Sequence, residues 1–282
     1  MLLLQKRVFT IRSIIAAVAV LSLFSLASCS KQNGLPNTKV TPTPTDTTKP
    51  VKPVYALVWS DEFDGTTVDT SKWSYDLGNL NVNNEKEFYQ TQNATVSNGN
   101  LVITAKKETV GGKPYTSARL KTLGKFTQTY GRIEASIKLP MGMGMWPAFW
   151  MLGANINTVS WPQCGELDIM EHINNTNTIY GTMHWNVNGH VQYGSTTTTT
   201  PGDYHLYAIE WDANEIRWYV DGTLYQTGNI KNSINNTGAF HLPFFILLNL
   251  AVAGDFPGQV VDETLLPESM YVDYVRVYKQ TN

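Results

Sequence analysis

Gly165-Glu166-Leu167-Asp168-Ile169-Met170-Glu171-His172 is the stretch on which the fold turns. It carries three carboxylates within six residues, with apolar residues between them. On a β-strand successive side chains point to opposite faces, so Glu166 and Asp168 share one face and Leu167 and Ile169 the other. Strict alternation would then place Met170 beside the acids and Glu171 in the core. One extra residue near Ile169-Met170, a β-bulge, returns Glu171 to the acidic face. The plain reading of three like charges together is a solvated acidic edge or a cation site. The chemical reading is that two carboxylates flank one bond, as in glycoside hydrolysis, where one attacks and the other donates a proton. With one residue absorbed, the Cα atoms of Glu166 and Glu171 lie about 13 Å apart, a gap that two leaning Glu side chains can close.

The segments on either side have the same character. Leu101 to Ala105 is strand-like, and Tyr130 to Leu139 alternates cleanly, with Gly131, Ile133, Ala135, Ile137 and Leu139 on one face. Tyr204 to Trp211 and Glu215 to Val220 read as a hairpin around Asp212-Ala213-Asn214, and Asp221-Gly222 signals another leading to Thr223-Leu224-Tyr225. Pro243 to Ala253 is an apolar run suited to a strand buried on both sides, and Tyr271 to Tyr278 is a last strand. No amphipathic helix of about ten residues or more stands out. Strands at this density predict an all-β, two-sheet antiparallel sandwich. Ser195 to Thr200, ahead of Pro201-Gly202, reads as a mobile surface loop.

The N-terminus differs in kind. Lys6, Arg7 and Arg12 precede an apolar run from Ile14 to Ala27, the pattern of a secretory signal and too short for a comfortable membrane span. Leu26-Ala27-Ser28-Cys29 resembles a bacterial lipoprotein box, which implies a signal over 1–28 and a lipid on Cys29. Thr- and Pro-rich sequence follows to about residue 54 and cannot form a core, so 29–54 reads as a lipidated linker and 55–282 as the folded domain. The expected location is exported and lipid-anchored, at the outer membrane, on its periplasmic face or at the cell surface.

Composition narrows the partners. The formal net charge is −2, with no basic run outside the N-terminus, which argues against nucleic acid. Eight Trp and 14 Tyr suit sugar binding as well as a β-core. Once Cys29 is committed, Cys164 is alone and no intrachain disulfide can form; it reads as buried packing. His172, His184, His190, His205 and His241 show no zinc spacing.

The acidic stretch resembles the E-x-D-x-x-E signature of glycoside hydrolase family sixteen in its bulged form. Other segments resemble the family's blocks in the family's order: Trp59-Ser-Asp-Glu-Phe-Asp64, Ser117-Ala-Arg119, Tyr130-Gly-Arg-Ile-Glu134, Trp146-Pro-Ala-Phe-Trp150, Gly181-Thr-Met-His184-Trp185, Tyr204 to Trp211 and Leu248-Asn249-Leu-Ala-Val. The resemblance implies a concanavalin A-like β-jelly-roll with a concave cleft, retention of configuration, Glu166 as nucleophile, Asp168 as its assistant and Glu171 as acid/base. Asn155 to Gly165 looks laminarinase-like, implying an endo-acting cut at internal β-1,3-glucan bonds; separately, the chain is expected to be a monomer. Met170 breaks the shorter lichenase spacing. Mixed-linkage glucan, a galactan, or a non-catalytic glucan-binding role on the same scaffold are the alternatives. Candidate sugar contacts are Asn83, Asn84, Glu85, Arg119, Trp146, Trp150, His184, Trp185 and Asn249. No cofactor is needed for catalysis. The resemblance also implies a structural calcium at Glu62, the Gly99 carbonyl and Asp273, a set of oxygen donors that suits a hard cation.

Overall fold

The computed structural model describes residues 53–282. The expected signal over 1–28, Cys29 and most of the expected linker lie outside the described residues. In chain order the first strands are β1 (Tyr55–Asp61), β2 (Ser74–Asp76), β3 (Glu87–Tyr89), β4 (Ala94–Ser97), β5 (Asn100–Ala105), β6 (Tyr115–Ser117) and β7 (Arg119–Lys121). Next come β8 (Gly131–Lys138), β9 (Met145–Gly153), β10 (Glu166–His172), β11 (Thr178–Asn186) and β12 (His190–Thr198). The last are β13 (Tyr204–Trp211), β14 (Glu215–Val220), β15 (Thr223–Asn229), β16 (Phe244–Val252) and β17 (Glu268–Gln280). A four-residue turn of helix, α1 (Ile156–Val159), lies in the loop before the acidic strand.

These strands form two large antiparallel sheets. One runs β15-β14-β13-β8-β17-β5-β4, with β1 also paired to β17. The other runs β12-β11-β10-β9-β16-β7-β2 and puts the acidic strand near its middle. The short β3 and β6 form a parallel pair of their own. The expected two-sheet sandwich is what the chain forms. Its core lies between the sheets and follows from alternation: Ile133, Ala135 and Ile137 of β8 and Tyr207, Ile209 and Trp211 of β13 face Leu167 of β10, Met183 of β11 and Ile246, Leu248 and Leu250 of β16. β16 is buried along its whole length. Its even-numbered residues from Phe244 to Val252 join the main core, while Phe245 and Leu247 pack with Leu152 and Cys164 on the other face. This is the strand buried on both sides that the apolar run predicts, and Cys164 is packing.

One expectation needs correcting. Ser195 to Thr198 is not a loop; it is the end of β12, the outer strand of the seven-stranded sheet, registered against Thr178 to Gly181. Threonine is β-branched and favours strands, and that propensity outweighs polarity here.

The two sheets are tied directly beneath the acids. Trp218 of β14 is fully buried and donates its indole N–H to the Asp168 carbonyl at 2.8 Å, at the point where the strand register shifts. Space for that ring depends on Gly181 of β11. A Cβ there would lie 2.7 Å from Trp218 Cδ1 and 2.2 Å from the Tyr225 hydroxyl.

Candidate active site

Pairing on both sides of β10 places the acids. Glu166 stands opposite Leu152 of β9 and His184 of β11, and Asp168 opposite Trp150 and Thr182. The register then slips: Met170 pairs with Phe149, and Glu171 with Ala148 and Tyr180. The slip is the bulge expected at Ile169-Met170. Leu167, Ile169 and Met170 all enter the inter-sheet core. Glu166, Asp168 and Glu171 line a cleft of about 310 Å³ on the opposite face. Along β9 the two Glu are four rungs apart, about 13 Å between Cα atoms. His172, next in alternation, turns inward, is fully buried and bonds the Thr176 carbonyl at 2.7 Å.

Each acid has its own setting. Trp146 donates its indole N–H to Glu171 Oε1 at 2.9 Å. His184 Nε2 lies 3.0 Å from Asp168 Oδ2 and 3.8 Å from Glu166 Oε1. The Asp168 contact is at ion-pair distance but poorly aligned, which leaves the buried Oδ2 without a full hydrogen bond. All three carboxyls are pushed up to about 8. For Glu166 the largest cause is burial, followed by the Asp168 charge, while His184 and the Trp161 side chain pull it back down. Glu171 is raised by burial and then Asp168, against Trp146 and His184; for Asp168 the cause is burial. Groups this close share their protons, so the cluster titrates as a unit.

A stability prediction follows from this. In the unfolded chain these carboxyls ionise near pH 4. As pH rises from there to about 8 the unfolded chain sheds protons that the fold retains, so the cluster's contribution to stability is lost across that window. Glu166→Gln should therefore melt higher than the parent at pH 8, and the gain should vanish by pH 4. Thermal melts at the two pH values check this, with about 2–4 °C expected per kcal/mol gained.

The cleft walls are aromatic and polar. Trp150 donates to Asn249 Oδ1 at 2.7 Å, and the Arg119 guanidinium sits 4.7 Å over the Trp150 ring while pairing with Asp76 at 3.0 Å. Tyr89 donates to Glu85 Oε2 at 3.1 Å, and Asn83 donates to Glu85 Oε1 at 3.0 Å. Asn83, Glu85, Arg119, Trp146, Trp150 and Asn249 all line the cleft with the acids, and His184 touches the acids directly.

Two expected contacts lie elsewhere. Trp185 follows His184 on β11 and so faces the core; it is 9% exposed and donates to the Asn235 carbonyl. Asn84 bonds Asp255 Oδ1 at 2.8 Å and does not line the cleft. The structure adds two aromatic residues. Trp161, 44% exposed, lines the cleft from the loop after α1. Phe256 stands edge-on to both Trp146 and Tyr180. Of the calcium ligands that the resemblance implies, Glu62 is engaged in an ion pair. Both Glu62 oxygens accept from Arg276, at 3.0 and 2.7 Å, so a cation would have to displace the guanidinium, and no step below uses one.

Residues 81–276 match the model described as "Glycosyl hydrolases family 16". The chain is 42% identical over 246 residues to the beta-glucanase of Rhodothermus marinus, covering 80% of this chain and 86% of that protein. It is 42% identical over 237 residues to the clotting factor G alpha subunit of Tachypleus tridentatus, covering 82% of this chain but 35% of that longer protein. The laminarinase catalytic domain of Thermotoga maritima superposes with a TM-score of 0.74 at 43% identity, over 81% of this chain and 99% of that one. With the bulged E-x-D-x-x-E strand at the floor of its cleft, the chain belongs to glycosyl hydrolase family 16.

Proposed function

We propose that this protein is an endo-acting, retaining β-glucanase that hydrolyses internal β-1,3-glucosidic bonds of laminarin-type glucans. The observation that carries the reading is the bulge, which sends Ile169 and Met170 to the core together and sets Glu166, Asp168 and Glu171 on one cleft face. Similarity to a laminarinase catalytic domain supports the choice of polymer.

The reaction runs in two displacements. Glu166 attacks the anomeric carbon as a carboxylate while Glu171 gives its proton to the departing glycosidic oxygen, leaving a glycosyl-enzyme ester. Glu171, now ionised, takes a proton from water as the water attacks that ester and frees Glu166. The two Glu share one electrostatic setting: burial and the Asp168 charge raise both, and His184 draws both back, helped by Trp161 at Glu166 and by Trp146 at Glu171. The division of roles between them follows the family's E-x-D-x-x-E order, and the shared proton suits a pair in which one is ionised while the other is protonated. Asp168, between them and the most enclosed of the three, orients Glu166 and tunes the shared protonation. Flat indole faces at Trp146, Trp150 and Trp161 offer sugar rings apolar platforms.

The substrate test is purified residues 30–282 on laminarin, lichenan and agarose, read as reducing ends. Release from laminarin is expected. Release from agarose without laminarin would exclude the β-1,3 assignment, and release from none would exclude hydrolysis. We further propose a lipid anchor at Cys29, carried on the 29–54 linker, with the enzyme monomeric and exported. Cys29→Ser should move the protein from the membrane fraction to the soluble one. Unchanged membrane association would count against the anchor.

A further inference from the structure

We propose that His190 is a positioning residue for this reaction: through the facing edges of two imidazoles it holds His184 with Nε2 turned to Asp168 and Glu166. The proposal rests on the glucanase reading above. His190 opens β12, diagonal to His184 across the β11–β12 pair, where Asn186 faces His190 and His184 faces Gln192. His184 Nδ1 and His190 Nε2 are 2.8 Å apart. The rings are 17° from coplanar with centroids 5.1 Å apart, which at that N···N distance is an edge-to-edge hydrogen bond, not a stack. On its other side His190 packs against the Trp161 ring, centroid to centroid 4.6 Å.

The bond carries a tautomer rule. To donate to Asp168 Oδ2, His184 must carry its proton on Nε2. Its Nδ1 is then bare and needs a donor, which His190 Nε2–H supplies. If His184 gains a second proton, Nδ1–H donates back and His190 presents a bare nitrogen. Either way the pair shares one proton between the facing atoms, and a charge on both rings is disfavoured. The titratable groups facing His184 are Glu166, Asp168 and Glu171 from β10 and His190 from β12; Trp161 brings no charge to His190. Asp168 Oδ2, buried and imperfectly bonded, makes the His184 ring angle consequential. A small rotation either completes or loses that bond.

The test compares the parent, His190→Leu and His190→Gln on laminarin across pH. Leucine removes the acceptor that lets His184 hold a charge, so the carboxylates lose a cationic neighbour and ionise later. The acid limb of kcat/KM should move up by about one pH unit. kcat should fall about tenfold with KM nearly unchanged, as for a small misplacement. Glutamine, which can donate to or accept from Nδ1, should restore most of both. His190 is exposed, so melting temperatures should barely move. An unshifted limb with unchanged kcat in His190→Leu, or a loss that glutamine does not restore, overturns the proposal. Nitrogen-15 NMR of the parent supplies a readout independent of substrate. One facing nitrogen protonated and one bare is expected, whereas two rings titrating independently near pH 6.5 overturns it. A parent inactive on laminarin overturns the substrate reading instead, and the NMR result still decides the pair.

Discussion

Glu171→Gln should lower kcat on laminarin about 10²–10⁴-fold, the usual worth of a positioned general acid. The amide keeps the shape and can still accept from Trp146, so the cleft should survive and KM should stay near the parent's. The loss should depend on the leaving group. An activated aryl glycoside needs little protonation, so its bond cleavage should be nearly spared while laminarin hydrolysis collapses. Glu166→Gln should behave differently. It removes the group that forms the ester, so both substrates should fail and the loss should be deeper. Steady-state kinetics on laminarin and an aryl β-glucoside of suitable length separate the two. Equal losses on both substrates for both variants would mean that the roles are not divided as assigned. Both amides remove a charge from a crowded, buried cluster, so they should lose activity while gaining stability at pH 8, the trade expected of a strained site.

Trp218→Ala should cost the fold most. The ring is fully buried between the sheets, and emptying such a site costs about 3–5 kcal/mol. The Asp168 carbonyl would also lose its indole donor, and an unsatisfied buried acceptor costs about 1–3 kcal/mol. The alanine variant should melt far below the parent or fail to accumulate. Trp218→Phe isolates the second effect, since it keeps an aromatic ring and removes the N–H. Its melting temperature should drop by about 2–4 °C per kcal/mol lost. Its kcat should also fall, because the lost bond anchors the backbone between Glu166 and Glu171. A phenylalanine variant with parental stability and turnover would show that the bond across the sandwich does not hold the bulge.

Much of this was legible in the sequence because alternation carries so much information. A period of two with one interruption places Glu166, Asp168 and Glu171 on one face, and the interruption is where the register slips. The same rule separates His184 from Trp185. Adjacent on a strand, they cannot both face the cleft, and the core took the indole. Pro243 to Ala253 was readable as a strand without a wet face because it has no polar phase apart from Asn249, which turns to Trp150 in the cleft. What the sequence hid are contacts between distant segments. Trp161, Phe256 and His190 reach the site from two loops and a hairpin end, and nothing local marks where those lead. The Glu62–Arg276 pair joins residues 214 positions apart and is equally invisible to pattern. In the threonines of β12 polarity signals a loop while β-branching signals a strand, and an outer strand satisfies both.

The stereochemistry of the first product tests the central claim most directly. Laminarin digestion by the parent enzyme, followed by proton NMR from the first minutes, reports the anomer formed before mutarotation. With Glu166 as nucleophile the new reducing end should appear as the β-anomer and only later equilibrate to α. Initial formation of the α-anomer would mean a single inverting displacement, and would contradict the role given to Glu166 and the two-step reaction built on it.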